Sequence, residues 1–146
     1  MKKIIAILSV TTILFFGLWV YEITDDSEAV ELCQRYAEQA AGHLSGYEKF
    51  KDINDENFVG QYWGSVSIFY AFKETLYSLP DNGGWNEAMY KDCEVVYDHM
   101  LLAPDEVLAH MDDVLASMEL VGEDFTSPEA RRALSELSYN LQYLWE

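Results

Sequence analysis

Apolar positions recur along this chain with the three-to-four-residue period of a helix, and they do so five times after an opening run that is apolar on every side. From Ile4 to Val20 only Ser9, Thr11, Thr12 and Gly17 interrupt the run; Lys2 and Lys3 precede it, and Glu22, Asp25, Asp26 and Glu28 follow. Seventeen helical residues rise roughly 26 Å, and Tyr21 and Ile23 at the interface bring the length close to a bilayer core. Residues 1–24 are therefore predicted to form a transmembrane signal-anchor helix, with the amino terminus inside because basic residues lead and acidic ones trail.

A cleaved signal peptide needs small residues just after its apolar core. Here that region reads "GLWVYEITDD", bulky where small is required, and Cys33 in "AVELC" lies too far on to serve as a lipidation site. An uncleaved anchor is the favoured expectation, with a cleaved leader and a secreted product as the alternative. Either way the remainder is expected outside the cytoplasm, in the first case as a single-pass protein of a bacterial-type inner membrane with its carboxyl-terminal domain in the periplasm.

The five later segments have ordinary start and stop signals. Segment one runs from Asp25, a capping residue with Glu28 as its partner, to Leu44, and carries Ala29, Cys33, Tyr36, Ala37, Ala40, Ala41 and Leu44 inward; Ser45 and Gly46 are expected to end it. Segment two, Glu56 to Leu79, places Phe58, Val59, Tyr62, Trp63, Val66, Phe69, Tyr70, Phe72, Leu76 and Tyr77 on more than one face, so it is expected to be the most buried helix. Gly60, Gly64, Ser67 and Ala71 form a small-residue stripe that predicts close approach of a second helix. "SVSIFYAF" also has strand-like content, but no other segment offers a strand to pair with it.

Pro80 and "DNGG" break the chain. Segment three, Asn86 to Leu102, turns Met89, Cys93, Val96, Tyr97, Met100 and Leu101 inward, with Trp85 at its entrance. Pro104 sits at a first turn followed by Asp105 and Glu106, and segment four continues to Val121 along Val107, Leu108, Met111, Val114, Leu115 and Met118, with Gly122 as its stop. The last segment opens with Ser127 as cap and Pro128 in the first turn, and buries Ala130, Ala133, Leu134, Leu137, Leu141, Leu144 and Trp145. The fold class that follows is all-α: an N-terminal anchor, then a compact antiparallel bundle of about five helices over residues 25–146.

Charge narrows the partners. Residues 25–146 carry 25 acidic side chains against seven basic ones, since only Glu22, Lys2 and Lys3 of the charged residues lie before them. Nucleic acid and anionic headgroups are repelled by such a surface; a more basic protein is attracted. Ten Tyr, seven Phe and four Trp argue against a disordered acidic segment. The residues expected to meet a partner are Trp85, as an aromatic anchor, and the acidic pairs Asp112 with Asp113 and Glu123 with Asp124. Tyr47, Tyr139 and Tyr143 are further candidates for exposed rings.

Cys33 and Cys93 each sit mid-helix on an apolar stripe, so an oxidising compartment is expected to join them in a disulfide. The loop closed would hold about 60 residues, for a stabilisation on the order of 4 kcal/mol. Two buried thiols acting as small hydrophobes are the alternative.

No metal or cofactor is expected. "DINDENFVGQYW" has oxygen donors at the first, third and fifth places of a calcium loop but lacks the sixth-place Gly and twelfth-place Glu. His110 lies one turn from Glu106 and two residues from Asp112, a weak metal spacing more often found on a solvated helix face. G-x-S-x-G, H-E-x-x-H and a phosphate-cradling Gly-rich loop are all missing, so no enzyme is expected. The reading that results is a tethered or secreted acidic helical protein that binds a basic protein, with an immunity or inhibitor protein as one version. A structural subunit of an envelope assembly is the alternative, and a small-ligand or metal-binding bundle a weaker one.

Overall fold

The computed structural model of the chain describes residues 27–49, 57–80 and 84–145, and these are helical apart from short turns. We number the helices α1 (27–49), α2 (Asn57–Ser78), α3 (Trp85–Leu102), α4 (Pro104–Ala109), α5 (Met111–Asp124) and α6 (Pro128–Tyr143). Among the described residues no helix is long and apolar enough to cross a membrane; the expected anchor, residues 1–24, lies outside them. The first five residues of the candidate calcium loop, 52–56, lie outside them too, and its other seven, from Asn57, open α2.

The expected caps account for several helix ends. Ser127 has an extended backbone and its Oγ accepts from the Ala130 N–H at 3.1 Å, while Pro128 occupies the first turn where no N–H is needed. Gly84, at the entry to α3, has φ +82°, a left-handed conformation that a β-carbon would strain. Pro104 opens α4 with Asp105 and Glu106 in its first turn.

Other ends fall elsewhere than the sequence suggests. Ser45 and Gly46 do not stop α1, which continues to residue 49. Gly46 is a contact point, since a β-carbon there would stand 3.3 Å from Gln61 Oε1 on α2. Gly122 likewise lies inside α5, where a β-carbon would meet Ala41 Cβ at 3.1 Å and the Glu38 Cα at 3.3 Å. The expected fourth segment is two helices, interrupted at His110, whose ring lies flat on the Trp145 indole with centroids 4.0 Å apart and planes 9° apart. The buried series Val107, Met111, Val114, Met118 and Val121 runs unbroken through that turn.

The five long helices close a ring in the order α1, α2, α3, α6, α5. The α1–α2 seam is antiparallel, with Ser65 Oγ donating to Ala40 O at 2.8 Å and His43 hydrogen-bonded to Gln61 at 2.7 Å. Gly64 of the small-residue stripe lies at this seam, 3.1 Å from His43 Nδ1 measured from its would-be β-carbon, whereas among the described residues nothing lies within 4 Å of the same point at Gly60. The α2–α3 seam is antiparallel as well: Tyr62 donates to Met100 O at 2.8 Å, and the rings of Tyr70 and Tyr97, then Tyr77 and Tyr90, pair along it. The α3–α6 seam runs parallel, matching Trp85 with Arg131 and Asp92 with Ser135 and Ser138. A ring of five neighbours cannot alternate direction at every seam, so the expected antiparallel bundle has one parallel pair.

Inside the ring Phe69, Phe72 and Phe125 are buried, with Phe72 lying 5.7 Å from Phe69 and 5.8 Å from Phe125 between ring centroids. Met100, Met118, Leu134 and Val96 fill the space around them. Burial of side chains of this size contributes about 1.5–3 kcal/mol each, and it decides which face of every helix turns inward.

Helix α2 contributes more buried residues than any other described helix, as expected, but not all of its apolar positions turn inward. Trp63, Tyr70 and Tyr77 are 42%, 45% and 69% exposed, and Val59 is also exposed, so α2 is not enclosed on all sides but keeps an open apolar face. Leu101 and Leu144, expected inward, are exposed as well.

Candidate functional site

The residues singled out from sequence do not form one site. Trp85 is half-buried beneath Arg131, whose guanidinium carbon lies 3.2 Å from the ring centroid, so its face is already used within the molecule. Asp112 and Asp113 are exposed in the first turn of α5, beside the His110 turn. Asp124, at the far end of α5, accepts from Thr126 N at 3.0 Å and Thr126 Oγ1 at 2.6 Å, which makes it a turn-stabilising group. Asp112 and Asp113 line a small cavity of about 240 Å³ at the His110 turn and Trp85 one of about 160 Å³, while Glu123 joins a larger concave surface.

That surface is a groove of about 650 Å³ between α1 and α5, lined by Gln34, Glu38, Ala41, Gly42, Ser45, Glu119, Gly122 and Glu123. Its geometry follows from Gly122. With no side chain there, α5 comes close enough to α1 for Gln34 Nε2 to donate to Gly122 O at 2.6 Å while Gln34 Oε1 accepts from Phe125 N at 3.2 Å. The amide thus clamps the two helices at one end. Beyond it the small residues Ala41, Gly42 and Ser45 leave a floor low enough to admit a side chain. Glu119 and Glu123, one turn apart on α5, line the groove together with Glu38 of α1, and among the described residues no Lys or Arg lines it.

Basic residues elsewhere are engaged close to home. Arg35 pairs with Glu31 at 3.7 Å, Lys91 with Glu87 at 2.7 Å, Arg132 with Glu136 at 3.9 Å and Lys73 with Glu74 at 3.1 Å. The first three pairs are exposed and stabilise little, whereas Lys73 is buried. Each nonetheless neutralises a nearby carboxylate, leaving the acidic surplus on surfaces such as the α1–α5 groove.

The expected disulfide is not made: Cys33 and Cys93 are both free, buried thiols. Cys33 Sγ is directed at Phe72 O, 3.9 Å away on α2, the orientation of a weak S–H donor. Burial pushes its pKa up to about 12, and Cys93 is also raised well above the usual thiol value, first by burial and then by the neighbouring Cys33 and Asp92. Both behave as packing groups and neither is activated as a nucleophile.

Among the described residues no group of three or more His, Cys, Asp or Glu side chains could hold a metal ion. His43 is bonded to Gln61 and His99 to Val95 O at 2.8 Å. His110 is stacked on Trp145 instead of lying on a solvated helix face.

The class these features define is an all-helical bundle with an acidic groove on one side and an open aromatic helix face on another. No protein-family model matches the chain, and no curated protein or solved structure does either. The groove was only partly legible beforehand: the four-residue spacing of Glu119 and Glu123 places both on one face of α5, but nothing local to either says that Glu38 stands opposite.

Proposed function

We propose that this protein binds a more basic protein partner, receiving a Lys- or Arg-bearing segment in the α1–α5 groove. The chain acts from the outer side of a bacterial-type inner membrane, tethered by residues 1–24 or released after their removal. The observation that supports this reading is that Glu38, Glu119 and Glu123 line one groove that has a small-residue floor and, among the described residues, no cation in its lining. The formal charge of −17 supplies long-range attraction that speeds encounter, while the groove supplies a place where a cation meets several carboxylates together. No chemical step is required of any residue; the activity is stoichiometric occupation of the partner, as in an inhibitor or immunity protein.

The test compares two triple neutralisations of equal charge. Glu38→Gln/Glu119→Gln/Glu123→Gln removes the groove carboxylates, and Asp98→Asn/Glu129→Gln/Glu136→Gln removes three exposed ones elsewhere. With an arginine-rich peptide or a captured basic partner as probe, the groove variant is expected to lose at least tenfold in affinity and the control less than about threefold, with association slowing as salt rises. Equal losses in the two variants, or an association rate indifferent to salt, would refute the proposal.

A further inference from the structure

Helix α2 stands apart from the rest of this acidic molecule. Its 22 residues contain a single acid and a single base, Glu74 and Lys73, which pair with each other at 3.1 Å. The Lys73 side chain is only 7% exposed, with its ammonium 5.1–5.4 Å from the ring centroids of Tyr90, Tyr70 and Tyr97. The single cation of the helix is thus covered by rings, and the outer face presents Val59, Trp63, Tyr70 and Tyr77. The last three recur every seven residues, the spacing of a helix-packing seam.

Beside the far end of this row lies a cavity of about 510 Å³, lined by Tyr77, Leu79, Asn86, Glu87, Tyr90, Lys91 and Glu94. Asn86 is 5% exposed; its Nδ2 donates to Pro80 O at 2.8 Å, but among the described residues its Oδ1 meets no donor. A buried acceptor left without a donor costs about 1–3 kcal/mol. Trp63, on the same face, is 42% exposed and carries an indole N–H donor.

We propose that the α2–α3 face is a homodimer interface in which Trp63 of each copy enters the Tyr77–Asn86–Tyr90 cavity of the other. A two-fold axis near Tyr70 makes this possible, because Trp63 and Tyr77 lie equally far from it on opposite sides, roughly 21 Å apart along the helix. The inserted indole supplies an N–H within the cavity that holds the unpaired Asn86 oxygen.

Charge selects a second copy over other occupants. A basic partner is drawn to unpaired carboxylates, whereas on this face Glu74 pairs with Lys73 and Glu87 with Lys91, leaving Glu94 of the cavity lining; two copies of a strongly acidic chain meet with least repulsion where the net charge of each is this small. The face is about two helices wide and 33 Å long, on the order of 700 Å² per copy, close to the ~800 Å² per partner of a standard stable interface. Its rings are already held by mutual packing, with Tyr77 and Tyr90 centroids 4.9 Å apart and Tyr70 and Tyr97 5.3 Å apart, so little side-chain freedom is lost on association.

The test is sedimentation equilibrium of the full chain in mild detergent from about 1 to 100 µM, the range over which a dimer of this area changes state. Wild type is expected to dimerise, and more tightly as salt rises, because screening relieves repulsion between like-charged copies; this is opposite to the salt response of basic-partner binding. Trp63→Glu and Tyr77→Arg are each expected to weaken the dimer at least tenfold with helical content unchanged. The double variant Trp63→Glu/Tyr77→Arg is expected to recover part of the loss, because within one chain the two positions are too far apart to pair. Three results would overturn the proposal: a dimer that persists in Trp63→Glu, double-variant association no stronger than that of the single variants, or a monomer at every concentration. A monomer whose fluorescence, in a Trp19→Phe background, is quenched by brominated phosphatidylcholine, with the quenching lost on adding Trp63→Phe, would assign the face to lipid instead.

Discussion

Replacing Gly122 with alanine sets two opposing effects against each other at the seam that forms the groove. Alanine is favoured over glycine inside a helix by about 1 kcal/mol, so α5 itself is strengthened. The added β-carbon, however, would stand 3.1 Å from Ala41 Cβ, 3.3 Å from Glu38 Cα and 3.4 Å from Ala37 O. Two of these three neighbours are backbone atoms and the third is fixed to backbone, so the strain cannot be relieved by turning a flexible side chain. Helices α1 and α5 must separate by a few tenths of an ångström, which stretches the Gln34–Gly122 hydrogen bond of 2.6 Å. Overpacking of this kind typically costs about 1–3 kcal/mol, leaving Gly122→Ala neutral to about 2 kcal/mol less stable than wild type. Gly42→Ala is the matched control: it makes the same change inside a helix, with nothing within 4 Å of the new carbon, and is expected to gain roughly 0.5–1 kcal/mol. Urea unfolding followed by circular dichroism should separate the two midpoints by about 0.5–2 M at the slopes usual for small domains. If Gly122→Ala proves as stable as Gly42→Ala, the close α1–α5 approach is wrong and the groove with it.

Two further outcomes test the interior. Asp92 of α3 has its pKa raised by desolvation, partly offset by hydrogen bonds from Ser138 and Ser135. The folded state therefore holds this proton to higher pH than the unfolded chain, and the resulting stability, complete below about pH 4, is lost as pH rises through the folded pKa; Asp92→Asn is expected to raise the melting temperature at pH 7 by an amount worth less than about 1 kcal/mol, with no gain at pH 3. At pH 8 a Cys33 thiol with its pKa pushed up to about 12 should react with iodoacetamide roughly a thousandfold more slowly than an ordinary thiol, and rapidly once unfolded; unfolded, unreduced protein with neither thiol reactive and a mass lower by two hydrogens would show that the crosslink forms after all.

What could be read from the chain alone was whatever depends on near neighbours in sequence. The helical period placed Cys33, Ala37, Ala40 and Leu44 of α1, and Met89, Cys93, Val96 and Met100 of α3, on buried faces. Ser127 and Pro128 marked the start of α6 because a cap needs only the next three residues.

Tertiary structure decided matters in which two distant segments share one space. Gly46 and Gly122 carry the same local signal as helix stops, yet each lies inside a helix because a neighbour needs the room its side chain would take. Trp63, Tyr70 and Tyr77 look as apolar as Phe69 and Phe72, but α2 meets α1 on one side and α3 on another, and neither covers the third. The net acidity was plain from composition, whereas the meeting of Glu38 with Glu119 and Glu123 depended on how closely α5 approaches α1. Periodicity specifies that a helix has an inner face; only the packing of all the helices together determines how much of each remains outside.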